Sequence, residues 1–166
     1  MSSGTAPPHV VEDLHGVLQL FSDGSVVRGD ESAIMPSGRF PDVPGVQWKG
    51  VVYDATRGLR ARVYRPPAAA AGEGRKLPVL VYFHGGGYCL REYDQPMFHS
   101  CCQRLAAELP AVVLSAQYRR APEHRLPAAV EDGAAFLSWL RIQAAPGAPG
   151  AEPWFAENTP TSRGRS

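Results

Sequence analysis

The stretch from Leu77 to Tyr88, LPVLVYFHGGGY, constrains this chain more than any other. Its apolar run Val79-Leu80-Val81-Tyr82-Phe83 is short, β-branched and aromatic, bounded by Pro78 on one side and His84-Gly85-Gly86-Gly87 on the other. A run of this kind without polar alternation predicts a strand covered on both faces, as in a parallel sheet. Three successive glycines then leave the backbone without Cβ atoms. Such a loop can take positive φ and bring peptide N–H groups close to a ligand. A polar loop at the carboxyl end of a buried strand is where open α/β sheets place their sites. A glycine-rich turn that only redirects the chain is the plain alternative, and the short motif does not by itself separate the two.

The flanking segments read as follows. Residues 1–12 form a mobile lead-in. Val17 to Phe21 and Val26 to Arg28 are two strands of a hairpin around Asp23-Gly24. Residues 29–45, rich in Gly, Pro and Ser, are an irregular connection. Val46 to Ala55 and Leu59 to Tyr64 form a second strand pair, in which Leu59, Ala61 and Val63 alternate with a wet face of Arg60, Arg62 and Tyr64. Pro66 to Lys76 is a low-complexity loop. A helix starts near Pro96, with Phe98, Cys101, Cys102, Leu105 and Leu109 on its buried stripe. Both cysteines are therefore read as core residues, ahead of a metal or redox role. Ala111 to Tyr118 is a further buried strand, and the order strand, helix, strand makes a βαβ unit. After the polar turn Arg119 to His124, Pro127 opens a helix with an apolar stripe of Val130, Gly133, Ala134, Leu137 and Leu140, its first turn carrying Glu131 and Asp132.

Composition narrows the function classes. The 166 residues are enough for one domain with a real core, and 44% hydrophobic with 20% charged residues fits a globular chain. A net charge of +1 gives no electrostatic footprint for nucleic acid or an anionic membrane surface, so neither partner is expected. No apolar run approaches the length of a membrane span, and the amino end has neither the basic nor the apolar region of a secretory signal. Three cysteines, two of them adjacent, make no disulfide framework. A reduced, cytoplasmic setting is expected. No metal-ligand set and no nucleotide motif is present, so no cofactor is expected.

LPVLVYFHGGGYC, a helix, and then AVVLSAQYRRAPEHRLPAAVEDG resemble the plant carboxylesterases of the hormone-sensitive-lipase branch of the α/β-hydrolases, a group to which the gibberellin receptor belongs. The segments VVEDLHGVLQLFSDGSVVR and VVYDATRGLRARVYRP are similar to that family's amino end. The resemblance implies an α/β fold with an incomplete α/β-hydrolase sheet: N-terminal antiparallel strands, then a parallel βαβ unit. Residues 1–157 would be the N-terminal part of that domain, and 158–166 an unrelated polar tail. It also implies ester hydrolysis by a Ser, His and Asp triad, with the glycine motif as oxyanion hole. Gly85 and Gly86 would then donate N–H groups to the developing oxyanion, with His84 and Gly87 supporting the loop. Donors of that kind are worth about 3–4 kcal/mol each in mutational tests.

Two positions depart from the family. It carries Asp where this chain has Gln117, and a hydrophobic residue where this chain has Arg120. The family's Gly-x-Ser-x-Gly is also missing, since Thr161-Ser162-Arg163-Gly164 has Pro160 in place of the first glycine and no strand before it. None of the five histidines, His9, His15, His84, His99 and His124, reads as a general base without a nucleophile in reach. The expectation is a carboxylesterase-type scaffold that stops before its nucleophile and is inactive alone, taking a small ester or hormone-like ligand only when the fold is completed. A non-catalytic small-ligand-binding module related to the gibberellin receptor is the alternative. A strand missing beside Val79–Phe83 would leave a sheet edge open to self-association.

Overall fold

The computed structural model describes residues 6–34, 38–68, 77–145, 147 and 151–156. The low-complexity loop and the tail from Asn158, with Thr161 to Gly164, lie outside the described residues, in whole or in large part. Strands β1 (Val10–Leu14), β2 (Leu18–Phe21) and β3 (Val26–Arg28) form a small antiparallel sheet in the order β1-β2-β3. The hairpin turn is built as its sequence suggests. Gly24 sits at φ 83°, and the Asp23 carboxylate accepts hydrogen bonds from the Ser25 N–H and hydroxyl at 2.9 and 2.6 Å. Part of the lead-in expected over residues 1–12 is corrected: Val10 to Glu12 lie in β1, whose exposed residues gain order from pairing with β2, not from burial.

The main sheet runs β4-β5-β7-β6, from β4 (Gln47–Asp54), β5 (Leu59–Arg65), β6 (Val79–Phe83) and β7 (Val112–Ala116). β4, β5 and β7 pair antiparallel, while β6 and β7 pair parallel with Val79 opposite Val112 and Phe83 opposite Ala116. The connection between β6 and β7 contains α1 (Pro96–Glu108). α1 covers one face, where Tyr64 and Val113 meet Cys102 and Ala106. α2 (Ala128–Gln143) and the short α3 (Pro153–Ala156) cover the other, where Ala61, Val63, Val112 and Leu114 meet Phe136 and Phe155. All five residues of β7 are buried, which makes it the centre of the core.

Packing overturns several expectations of burial. Tyr64, read as part of a wet face, is fully buried because α1 lies over it. Among the described residues β6 is an edge strand with a neighbour on one side only, and Val79 and Phe83 are 46% and 42% exposed. On α1, Cys102 is buried but Cys101 only partly so, and Leu109 is exposed past the helix end. On α2 the buried face is Ala128, Ala129, Asp132 and Phe136, while Val130, Ala134 and Leu137 point outward. The reason is an ion pair. Asp132, wholly buried, takes the Arg119 Nε at 2.9 Å and the Arg119 N–H at 2.8 Å, and this fixes the rotation of α2 against the sheet.

Candidate active site

β6 delivers His84, Gly85, Gly86 and Gly87 to the carboxyl end of the main sheet, and the four predicted residues form one loop. His84 is 3% exposed, its ring held between Tyr118 and Phe98 at centroid distances of 4.4 and 5.4 Å. The Tyr118 hydroxyl donates to the His84 carbonyl oxygen at 2.7 Å. His84 Nδ1 lies 2.9 Å from the Gly85 carbonyl oxygen. A carbonyl can only accept, so Nδ1 carries the proton and Nε2 is left as an acceptor. Burial lowers the His84 pKa below its ordinary 6.5 and keeps the ring neutral. Nε2 has no hydrogen-bond partner among the described residues.

Gly86 and Gly87 are needed for their backbone, and Gly86 also for lack of space. Gly86 and Gly87 sit at φ 137° and 61°, backbone that side chains disfavour. A Cβ on Gly86 would in addition lie 2.3 Å from the Leu90 carbonyl oxygen. The turn after the loop closes on the Gly86 carbonyl, which accepts from the N–H groups of Cys89 at 3.2 Å and Leu90 at 2.9 Å. None of the three glycine N–H groups donates a hydrogen bond to the described residues. The loop opens on a cavity of about 450 Å³ whose other walls are Phe83, Tyr88, Tyr118, Ala129, Val130 and Gly133.

Charged side chains that carry no sequence motif hold the segment after the loop. Arg28 donates to the Cys89 carbonyl at 2.6 Å and to the Ala121 carbonyl at 2.9 Å, and pairs with Glu123. Both Glu31 carboxylate oxygens accept from the Arg91 N–H, at 3.0 and 3.1 Å. Arg120 donates to the Arg91 carbonyl at 2.6 Å and pairs with Glu92. Gln117 accepts the Arg60 N–H on its side chain at 3.1 Å and the Tyr53 hydroxyl on its carbonyl. Arg28 and Glu31 were legible only as part of a hairpin and a loop. Contacts across 61 and 60 residues leave no periodic trace in the sequence.

The other histidines do not join this site. His99 lies on the α1 side of the sheet, with Nδ1 2.9 Å from the Tyr64 hydroxyl, and His124 is exposed in the turn after β7.

A family model described as alpha/beta hydrolase fold matches residues 80–162. Tuliposide A-converting enzyme b1, amyloplastic, of Tulipa gesneriana is 36% identical over 146 residues, which cover 88% of this chain and 37% of that protein. Probable carboxylesterase 6 of Arabidopsis thaliana is 38% identical over 134 residues, covering 79% and 39%. Among solved structures, EstE1, a thermostable carboxylesterase from a metagenomic library, superposes with a TM-score of 0.52 at 30% identity over 72% of this chain and 35% of that one. The chain thus spans less than half the length of these relatives. The chain belongs to the α/β-hydrolase fold family, in the group that contains the plant carboxylesterases.

Proposed function

We propose that this chain is the oxyanion-stabilising portion of a carboxylesterase-type hydrolase acting on small carboxylic esters. The observation that carries the reading is the glycine loop, whose three N–H groups are unengaged by the described residues and whose residues line a cavity of about 450 Å³. In ester hydrolysis the carbonyl oxygen gains negative charge in the tetrahedral intermediate. Backbone donors fixed in advance stabilise that charge without reorganising during the reaction. Gly85 and Gly86 are the donors in this reading, and His84 and Gly87 hold them in place.

The sequence contains no Gly-x-Ser-x-Gly to form the intermediate, so the 166-residue chain alone is proposed to be inactive. Turnover of p-nitrophenyl acetate by the purified chain is expected to match a heat-treated control. Rapid turnover abolished by a fluorophosphonate would overturn the proposal of inactivity. Saturable binding of a hormone-like ligand without turnover would favour the binding-module alternative.

The partner reading rests on the main-sheet edge. Among the described residues β6 has a neighbour on one side only, and its five residues carry no charge. Such an edge is a template for another strand, so self-association through β6 is proposed. No described helix is long and apolar enough to cross a membrane. A cytoplasmic setting is proposed from the three free cysteines. The name of the tulip relative places that protein in amyloplasts. A fluorescent fusion of this chain separates the two compartments.

A further inference from the structure

We propose that Arg28, Glu31 and Arg120 are positioning residues that set the shape of the glycine loop by gripping the backbone just after it. This rests on the reading of that loop as the site. Between Tyr88 and Arg91 four backbone groups are held from outside. The Ala121 N–H donates to the Tyr88 carbonyl at 2.8 Å. Arg28 holds the Cys89 carbonyl at 2.6 Å, Glu31 the Arg91 N–H at 3.0 Å, and Arg120 the Arg91 carbonyl at 2.6 Å. Three of the four are charge-assisted bonds, the stronger kind.

The grip is needed because Tyr88 and Arg91 sit at φ 62° and 71°. Residues other than glycine rarely adopt that backbone, and it persists only where the surroundings over-determine it. The same segment sets the glycines, because the Leu90 N–H bonds the Gly86 carbonyl at 2.9 Å. The holds come from two sides: Arg28 and Glu31 from the amino-terminal sheet and its following turn, Arg120 from the turn after β7. The small sheet is therefore a brace for the site. Arg120 joins the Ala121 N–H in holding the segment from the side of the turn after β7.

Amide exchange and ¹H–¹⁵N spectra of the 166-residue chain test this. Arg120→Leu is made together with Glu92→Gln, so that no unpaired carboxylate is left behind. Exchange at Leu90 and Arg91 is expected to rise about tenfold and the Gly85–Gly87 resonances to shift, while Val63 and Leu114 in the sheet stay unchanged. Arg120→Lys, which keeps a donor for the Arg91 carbonyl, is expected to restore most of the loop's protection. Unchanged loop exchange and glycine shifts would overturn the inference, as would equal acceleration at Leu114. Should the double variant not fold, Glu31→Ala is read in the same way and against the same outcomes. These measurements do not depend on catalysis. A loosened loop in a chain that binds no ester would leave the positioning role standing and remove the functional reading.

Discussion

Tyr118 lies flat against His84, with 9° between the ring planes and its hydroxyl on the His84 backbone oxygen. One residue just past β7 thus packs against the imidazole and anchors the peptide that starts the glycine loop. Tyr118→Phe keeps the stack and deletes the hydrogen bond. It is expected to cost about 1 kcal/mol in urea unfolding, the usual net worth of such a bond. Tyr118→Ala removes the stack as well and is expected to cost about 3 kcal/mol or more.

Gly85 and Gly86 are expected to respond differently to a methyl group. A Cβ on Gly85 meets nothing within 4 Å, whereas one on Gly86 strikes the Leu90 carbonyl and sits on disfavoured backbone. Gly85→Ala is expected to leave the thermal midpoint of this chain nearly unchanged. Gly86→Val should disturb the turn to Leu90, visible as loss of protection at the Cys89 and Leu90 amides. In a full-length relative, the matching valine is expected to lower turnover far more than stability.

The Arg119–Asp132 pair is the buried electrostatic joint between the turn after β7 and α2. Asp132 has no exposure, so removing Arg119 strands a charge in the core. Arg119→Ala is expected to destabilise the chain by about 3 kcal/mol or more in denaturant unfolding. Replacing both partners with apolar residues of similar volume should recover a large part of that loss.

Titration gives a two-sided expectation. Burial lowers the pKa values of His84 and His99 below 6.5. The unfolded chain then binds more protons than the folded one just below 6.5, so these two residues reduce stability as pH falls through that range. On the alkaline side, burial pushes Cys102 from 9.0 and Tyr118 from 10.0 up to about 12. Their contribution is present below pH 9 and is lost as pH rises toward 12. Chemical denaturation at a series of pH values checks both limbs. The same burial orders the thiols: iodoacetamide should reach Cys89 and Cys101 well before Cys102.

A charge on the open edge tests the proposed self-association. Val79→Lys, at a position already 46% exposed, is expected to raise the monomer fraction in size-exclusion chromatography without lowering the melting temperature. A wild-type chain that is a monodisperse monomer would remove the edge proposal.

The glycine loop, the hairpin around Asp23-Gly24, the β4–β5 pair and the β6-α1-β7 unit were all legible in the sequence. Each depends on interactions local along the chain, or on a residue type that permits a backbone others do not. Glycine at positive φ and a short uncharged apolar run leave their marks wherever they fold. What tertiary structure alone decided was which side of each element faces inward. On α2 an apolar stripe through Val130 and Leu137 competes with a face holding Asp132 and Phe136, and the second won because Arg119 supplies a partner that hydropathy does not count. Tyr64 is buried because α1 happens to lie over it, and β1 is ordered because β2 offers it a ladder. The grip of Arg28 and Glu31 on the segment after the glycine loop belongs to the same class. Its strength is electrostatic and directional, but its geometry exists only after two sheets distant in sequence have packed together.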